Sequence, residues 1–317
     1  MALAEPLPSG EEQQSPVTAE REVILGYPTL RSHILHKVRR ETLPKIGLLI
    51  VFATIFLAIF GPLLAPYNTT AATNLVNAAP SAAHWFGTDG SGLDIFSRVI
   101  AAPRIDVSIA LLATALALVV GSAIGLFATF YGGWLGALAI RATDTLQAFP
   151  ALILAIIVVV LTGHGIGNII VVIAVLNMPL YARLMRGEVL RIRDRAFVEA
   201  ARASGLSDLA IAWRQVLPNA TAPVVAQMSV TIGWAILATA GLSFLGAGVL
   251  PPTPEWGSMI STGSSGIILG QWWPSVFPGI AIGLTVVGFA LLSERTSRLF
   301  ELGSGSSSAS SLASQER

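Results

Sequence analysis

Long apolar stretches without Asp, Glu, Lys or Arg dominate the chain and predict its main elements. About 20 apolar residues are needed to cross the roughly 30 Å hydrocarbon core of a bilayer. These stretches do not alternate polar and apolar residues as barrel strands do, and backbone groups in lipid must be satisfied within a segment, so we expect helices. The predicted transmembrane helices, six in number, lie at about 46–64, 107–131, 143–162, 166–185, 220–248 and 276–294. "GHGIGN" at 163–168 is the turn between the third and fourth.

A polar segment at 194–219 separates the fourth and fifth predicted spans. The stretch Glu188–Ala203 contains no Gly or Pro and predicts a helix that leaves the membrane. Gly205 offers the positive φ that ends helices, and Ser207 or Asp208 can cap a second helix. We expect Pro218 to stop that helix. Spacings of 3 or 4 give the second helix one apolar face, formed by Leu206, Leu209, Trp213 and Val216.

Two interpretations of this segment remain open from its pattern. The second helix could lie on lipid as an amphipathic helix, or it could dock on a protein partner. A lipid-bound helix carries Lys and Arg along its polar face. Here Glu199 stands among small residues, Ala200, Ala201 and Ala203, which permit close approach of another backbone. This composition favours the protein partner.

The composition places the chain in a bilayer and excludes cysteine chemistry. Of its 317 residues, 53% are hydrophobic and 12% are charged, and the mean hydropathy is +0.71. Residues 1–31 and 301–317 read as disordered because they are polar and low in complexity. The first apolar stretch follows about 45 polar residues, too far along for a secretory signal peptide. There are no cysteines, so disulfides and cysteine-based metal or nucleophile sites are absent.

The distribution of Lys and Arg predicts the orientation. Of the 19 basic residues, only Arg98 and Arg104 fall in loops assigned to the outside. The others precede the first span, lie in the turn before the third, lie between the fourth and fifth, or follow the sixth. By the positive-inside rule, we expect both termini and the 194–219 segment on the cytoplasmic side.

Several ordered motifs resemble one family. "EAARASG" at 199–205, followed by Leu217 and Pro218, is similar to the EAA loop of permease subunits of ABC importers, which forms their cytoplasmic coupling helices. Other segments resemble the C-type permease of dipeptide and oligopeptide importers. They are "HWFGTDGSGLDIFSR" (84–98), "DTLQAFPALILAI" (144–156), "GLSFLGAGVLPPTPEWGSMI" (241–260) and "WWPSVFPGIAI" (272–282). Leu93 departs from the family, which has Arg there, as does the stretch Leu291–Arg295, where the family continues Asn-Leu-Leu-Gly-Asp.

The resemblance implies a fold, partners and a site. The fold is an all-α, MetI-like permease in a bacterial cytoplasmic membrane, with a cytoplasmic tail at 1–44, a transmembrane domain at 45–300 and a tail at 301–317. The implied partners are a second, B-type permease, two cytoplasmic ATP-binding subunits, an extracytoplasmic peptide-binding protein, the lipid membrane and a peptide substrate, without nucleic acid. Nickel or a glycoside is the alternative substrate. The implied ATPase-coupling residues are Glu199, Ala200, Ala201, Gly205, Leu209, Trp213 and Pro218, with Glu199 capping or bracing the turn at Gly205 and with Leu209 and Trp213 filling a groove of the ATPase.

The sequence fits other functional classes less well. The P-loop pattern is missing, so ATP hydrolysis must come from another chain, and we expect no catalytic residue, cofactor or metal here. "DGSGLD" (89–94) looks like a calcium loop but lacks the Glu at its twelfth position, where Ile100 stands. A secondary transporter is disfavoured because the six stretches are uncharged. An intramembrane hydrolase is disfavoured because Ser243 lacks the flanking Gly-x-Ser-x-Gly pattern and His-Glu-x-x-His is absent.

Three smaller features have structural interpretations. GxxxG pairs on the second span (Gly121, Gly125) and on the sixth (Gly279, Gly283) favour packing within the subunit over a role in lining the pore. Arg141 and Asp144 form an expected i,i+3 ion pair. Asp106 is expected beside Arg104 at the outer end of the second span.

Overall fold

A computed structural model describes residues 42–293, and this part of the chain is helical without a β-strand. The helices are α1 Leu43–Leu64, α2 Ile95–Ala101, α3 Pro103–Tyr131, α4 Gly133–Leu146, α5 Ala151–Thr162, α6 Ile166–Ile192, α7 Ala196–Ala203, α8 Asp208–Ile211, α9 Leu217–Ala226, α10 Met228–Phe244, α11 Trp256–Ser264 and α12 Trp273–Ser293. A π-helical turn, Ala212–Val216, joins α8 to α9, and a 3₁₀ turn, Ile267–Leu269, follows α11. The predicted tails at 1–31 and 301–317 lie outside the described residues.

The described residues contain four helices that are long and apolar enough to cross a membrane by themselves, and six spans if each of two bent pairs counts as one. The all-α membrane fold is therefore confirmed, but two spans are not the single helices we predicted. The span at 143–162 is broken by a 94° bend between α4 and α5, and the one at 220–248 by a 48° bend between α9 and α10. The first break has a local cause: Pro150 is the N-cap of α5, and proline lacks a backbone N–H and disfavours a helical conformation in the residue before it.

α3 and α6 form the most extensive helix pair, which lies at the centre of the fold. A Cβ atom added at Gly121 would lie 2.4 Å from the carbonyl oxygen of Met178, and one at Gly125 would lie 2.3 Å from that of Ala182. Only glycine permits this close approach, so the prediction that the first GxxxG pair packs within the subunit is confirmed.

The second GxxxG pair behaves differently. A Cβ atom at Gly279 would come no closer than 3.9 Å to Ile260, and one at Gly283 would meet nothing within 4 Å. The prediction of close packing within the subunit is therefore wrong for this pair in the described structure. The glycine of α12 that does pack closely is Gly288, where an added Cβ atom would lie 2.5 Å from Ile50 of α1.

The connection between α1 and α3 is held by buried polar contacts. His84 Nδ1 lies 2.8 Å from Asp94 Oδ1, and Asp94 Oδ2 accepts hydrogen bonds from the backbone N–H and the hydroxyl of Ser97. Asp89 accepts hydrogen bonds from the N–H groups of Ser91 and Leu93, both at 2.9 Å. The aspartates of "DGSGLD" thus serve to build a turn and to cap α2.

Two acidic side chains are buried together at the start of α11. Glu255 is fully buried and accepts hydrogen bonds from the N–H groups of Gly257 (2.9 Å) and Ser258 (2.6 Å). Asp106 lies with Arg104 in the first turn of α3, as expected, and it is buried and accepts a hydrogen bond from the N–H of Trp256 (3.3 Å). Burial raises the pKa of Glu255, and the two backbone N–H groups oppose that shift.

Candidate coupling segment

The segment at 194–219 begins with a break that we did not predict. α6 ends at Ile192, and α7 begins at Ala196 after Arg195 adopts an extended backbone. In one continuous helix, residues 192 and 198 would point about 120° apart. In the structure Ile192 and Val198 are both buried, so the change of direction lets both pack inward. The prediction of an unbroken helix over Glu188–Ala203 is therefore wrong.

The two faces of α7 separate core residues from exposed ones. Val198 and Ala201 are buried, whereas Glu199 and Ala200 are exposed. The Glu199 carboxylate makes no hydrogen bond or ion pair with the residues that the structure describes. The expectation that it caps or braces the Gly205 turn is therefore wrong, and an exposed ion pair between Arg202 and Asp208, at 3.6 Å, spans the turn instead.

Gly205 ends α7 as predicted. Its φ is +81°, and two backbone hydrogen bonds close the helix end: Leu206 N–H to Ala201 O (3.2 Å) and Gly205 N–H to Arg202 O (3.0 Å). This is the Schellman arrangement, in which the left-handed residue is usually glycine. A Cβ atom at Gly205 would meet nothing within 4 Å, so the backbone conformation, not lack of space, requires glycine.

α8 begins as predicted and ends differently. Ser207 caps it by accepting a hydrogen bond from the N–H of Ala210, at 3.4 Å. Pro218 does not stop the helix, because it lies in the first turn of α9, where a missing N–H is tolerated. The π-helical turn continues α8 directly into α9, and the Leu217 N–H donates a hydrogen bond to the Ala212 carbonyl oxygen within it.

The predicted apolar face of α8 is divided between the surface and the core. Leu209 and Trp213 are each 53% exposed and Leu206 is 37% exposed, whereas Val216 is fully buried. The Trp213 ring packs edge-on against Phe127 of α3, with ring centroids 6.2 Å apart. It also lines an apolar cavity of about 240 Å³ between α3, α6 and α9. One side of Trp213 is thus used to attach the segment to the helical core.

Five exposed residues form a surface on α7, α8 and the turn between them. We call Glu199, Ala200, Gly205, Leu206 and Leu209 the coupling surface. It combines an unpaired carboxylate, small residues and two aliphatic side chains. Sequence reasoning identified four of these residues as site residues and included Leu206 in the apolar face. It missed the Arg202–Asp208 ion pair, for which opposite charges flanking a glycine turn were the available signal.

Comparisons with known proteins agree with this architecture. Residues 117–303 match the family described as binding-protein-dependent transport system inner membrane component, and residues 29–80 match the N-terminal TM domain of oligopeptide transport permease C. The chain is 39% identical to the dipeptide transport system permease protein DppC of Alkalihalophilus pseudofirmus, over 81% of this chain and 85% of that protein. It is also 39% identical to the glutathione transport system permease protein GsiD of Escherichia coli O1:K1, over 81% and 86%.

A solved structure supports the fold. One chain of the MetNI methionine ABC transporter, solved in an inward-facing conformation, superimposes on this chain with a TM-score of 0.51 at 17% identity. The match covers 63% of this chain and 93% of that one. The family match spans more than half of the sequence and includes the segment with the coupling surface. The chain is therefore a multi-pass membrane protein that belongs to the binding-protein-dependent transport permeases, the inner membrane components of ABC importers.

Proposed function

We propose that this chain is the C-type permease subunit of an ATP-driven importer of short peptides. The observation that carries the proposal is the match of residues 29–80 to an oligopeptide permease domain, together with relatives named for dipeptide and glutathione transport. The subunit forms half of a translocation path, and a B-type permease forms the other half. An extracytoplasmic binding protein delivers peptide to the path in a bacterial cytoplasmic membrane.

The coupling surface is the proposed contact with one of two cytoplasmic ATP-binding subunits, which carry out hydrolysis. A docked helix switches the path only if the ATPase dimer binds it differently with and without ATP. Glu199, Ala200, Gly205 and Leu209 lie exposed on α7, the turn and α8, where a partner can reach them. Ala201 packs beneath, and Trp213 and Pro218 connect the segment to α3 and α9. A movement of the surface can thus be transmitted to the transmembrane helices.

Two substitutions at Gly205 test the coupling role. Val strains a backbone at φ +81° by roughly 1–2 kcal/mol, whereas Asn tolerates the left-handed region. We expect Gly205→Val to insert and to co-purify with the second permease, but to lose peptide uptake and peptide-stimulated ATP hydrolysis in reconstituted membranes. Gly205→Asn should retain most of both activities if the backbone conformation alone matters. Normal uptake by the assembled Gly205→Val complex would show that the segment is a passive surface helix.

The substrate is tested separately, with the wild-type complex. Di- and tripeptides, glutathione, nickel ions and a glycoside are supplied to the binding protein, and uptake is followed with and without ATP. Peptide uptake that requires ATP supports the proposal. Uptake of nickel or a glycoside in place of peptide would identify the alternative importer class, and uptake driven by an ion gradient without ATP would identify a secondary transporter.

A further inference from the structure

A second site lies apart from the coupling surface, between the end of α3, one side of α4 along most of its length, and the end of α6. It is a cavity of about 450 Å³ lined by Ala128, Thr129, Gly132, Gly133, Gly136, Ala137, Ile140, Arg141, Asp144, Arg186, Leu190 and Arg193. We propose that this cavity binds a phosphate-type oxyanion, supplied either by the headgroup of an anionic phospholipid or by a soluble phosphate compound.

The charges that line the cavity are mostly positive and poorly compensated. Arg141 and Arg186 have no ion pair or side-chain hydrogen bond within residues 42–293. Arg193 donates to the Thr129 carbonyl oxygen (3.2 Å) and contacts Asp194 (3.3 Å). Asp144 is the one acidic residue of the lining, and its expected ion pair with Arg141 is not formed. Arg193 is partly compensated by Asp194, but among the described residues Arg141 and Arg186 face only Asp144, and this excess of guanidinium groups favours an anion because guanidinium matches the geometry of phosphate oxygens.

The backbone around the cavity also supplies donors. α4 has 14 residues, and its N-cap, Gly132, provides no side-chain hydrogen bond to the first turn. The first N–H groups of a helix lack partners within it, and the helix dipole favours negative charge there. Thr129, which is only 7% exposed, lines the same cavity, and its hydroxyl has no hydrogen-bond partner in the described structure. These donors are independent of the arginines and point to the same class of ligand.

The surroundings place the site at the level of lipid headgroups. Tyr131 and Trp134, at the α3–α4 turn, are 54% and 74% exposed, and aromatic residues of this kind concentrate at membrane interfaces. Basic pockets between transmembrane helices on the cytoplasmic side suit anionic headgroups. Arg193 is the residue after which the 194–219 segment begins, so an anion bound here would join the ends of α3 and α6 and the start of α4.

The test uses the full-length chain purified in an uncharged detergent, with thermal unfolding followed by tryptophan fluorescence. Short-chain phosphatidylglycerol is compared with short-chain phosphatidylcholine, and inorganic phosphate with chloride at equal ionic strength. We expect stabilisation by phosphatidylglycerol, by phosphate, or by both. The response to each probe distinguishes a lipid headgroup from a soluble phosphate.

Variants show whether the cavity is responsible. Each arginine near a membrane surface contributes about fivefold to the binding of an anionic group, so Arg141→Gln with Arg186→Gln should raise the half-saturating concentration about 25-fold. Asp144→Asn should lower it. Arg191→Gln is the matched control, since Arg191 lies on the same helix but pairs with Glu188 and does not line the cavity. An equal loss in Arg191→Gln, or no stabilisation by either probe beyond its control, would overturn the proposal.

Discussion

Single residues in this chain act through backbone conformation or through buried charge. Gly205 is required by its φ of +81°, although its surroundings are open. Asp106 and Glu255 act through burial, since both carboxyl groups contact the first turn of α11 and are shielded from water. The two effects predict different experimental results. Backbone strain changes the stability of the protein equally at every pH, whereas the contribution of a buried acid to that stability depends on pH.

The pair Asp106 and Glu255 predicts a pH-dependent stability. Burial raises the pKa of Glu255 above its ordinary 4.5, so the folded state binds this proton more tightly than the unfolded state. The associated stabilisation is complete below pH 4.5 and is lost as the pH rises through the raised pKa. In Asp106→Asn, the amide oxygen can still accept from Trp256 N–H, and only one acidic group remains to be buried at the start of α11. We expect a gain of about 1 kcal/mol at pH 8 and little change at pH 4.

Thermal unfolding of the purified chain at both pH values measures this effect. Asp208→Asn provides the control, because Asp208 is exposed and its ion pair with Arg202 contributes little. A destabilisation by Asp106→Asn that is equal at pH 4 and pH 8 would contradict the electrostatic interpretation.

At the scale of elements, close helix pairing in the described fold depends on where a glycine faces the neighbouring helix. α3 approaches α6 at Gly121 and Gly125, and α12 approaches α1 at Gly288. The GxxxG spacing on α12 does not produce such an approach to any residue in the range 42–293. Whether a small-residue pair packs is therefore decided by the neighbour that it faces, and the spacing alone does not determine it.

This difference predicts opposite results for the same substitution. In Gly125→Val, the new Cβ atom would lie 2.3 Å from the Ala182 carbonyl oxygen, so α3 and α6 must separate, at a cost of about 1–3 kcal/mol or more. In Gly283→Val, the Cβ atom enters open space, and we expect a stability close to that of wild type. The midpoint of thermal unfolding of each purified variant is the measurement. Equal loss in both variants would mean that α12 has a close neighbour at Gly283.

At the scale of the whole molecule, the charge asymmetry along the chain predicts its orientation. The α7–α8 segment follows several arginines, whereas the stretch from α11 to α12 contains no Lys or Arg. The coupling proposal requires the first of these to be cytoplasmic, because it assigns the ATP-binding subunits to that side. A result that places this segment on the outside would therefore contradict both the predicted orientation and the proposed coupling role.

Cysteine labelling tests the orientation. The chain contains no cysteine, so Ser207→Cys and Ser265→Cys each introduce a single thiol, and both positions are exposed. An impermeant maleimide added outside intact cells should label Ser265→Cys, and it should label Ser207→Cys only after the membrane is opened. Labelling of Ser207→Cys in intact cells would reverse the topology.

The sequence by itself determined the structural features that depend on residues adjacent in the chain. Apolar length predicted the spans, and the order Ala-Ala, Gly205 and Ser207 predicted a helix end, a left-handed turn and a new cap, because these features rest on local backbone chemistry. Only the tertiary structure decided what depends on packing. It placed Asp106 beside Glu255 and Arg141 near Arg186 and Arg193, left Glu199 without a partner among residues 42–293, and interrupted the helices at 193–195 and at 227. The physical reason is that such contacts depend on which helices pack against each other. Residues far apart in sequence meet only when the helix faces that carry them are buried in the same core.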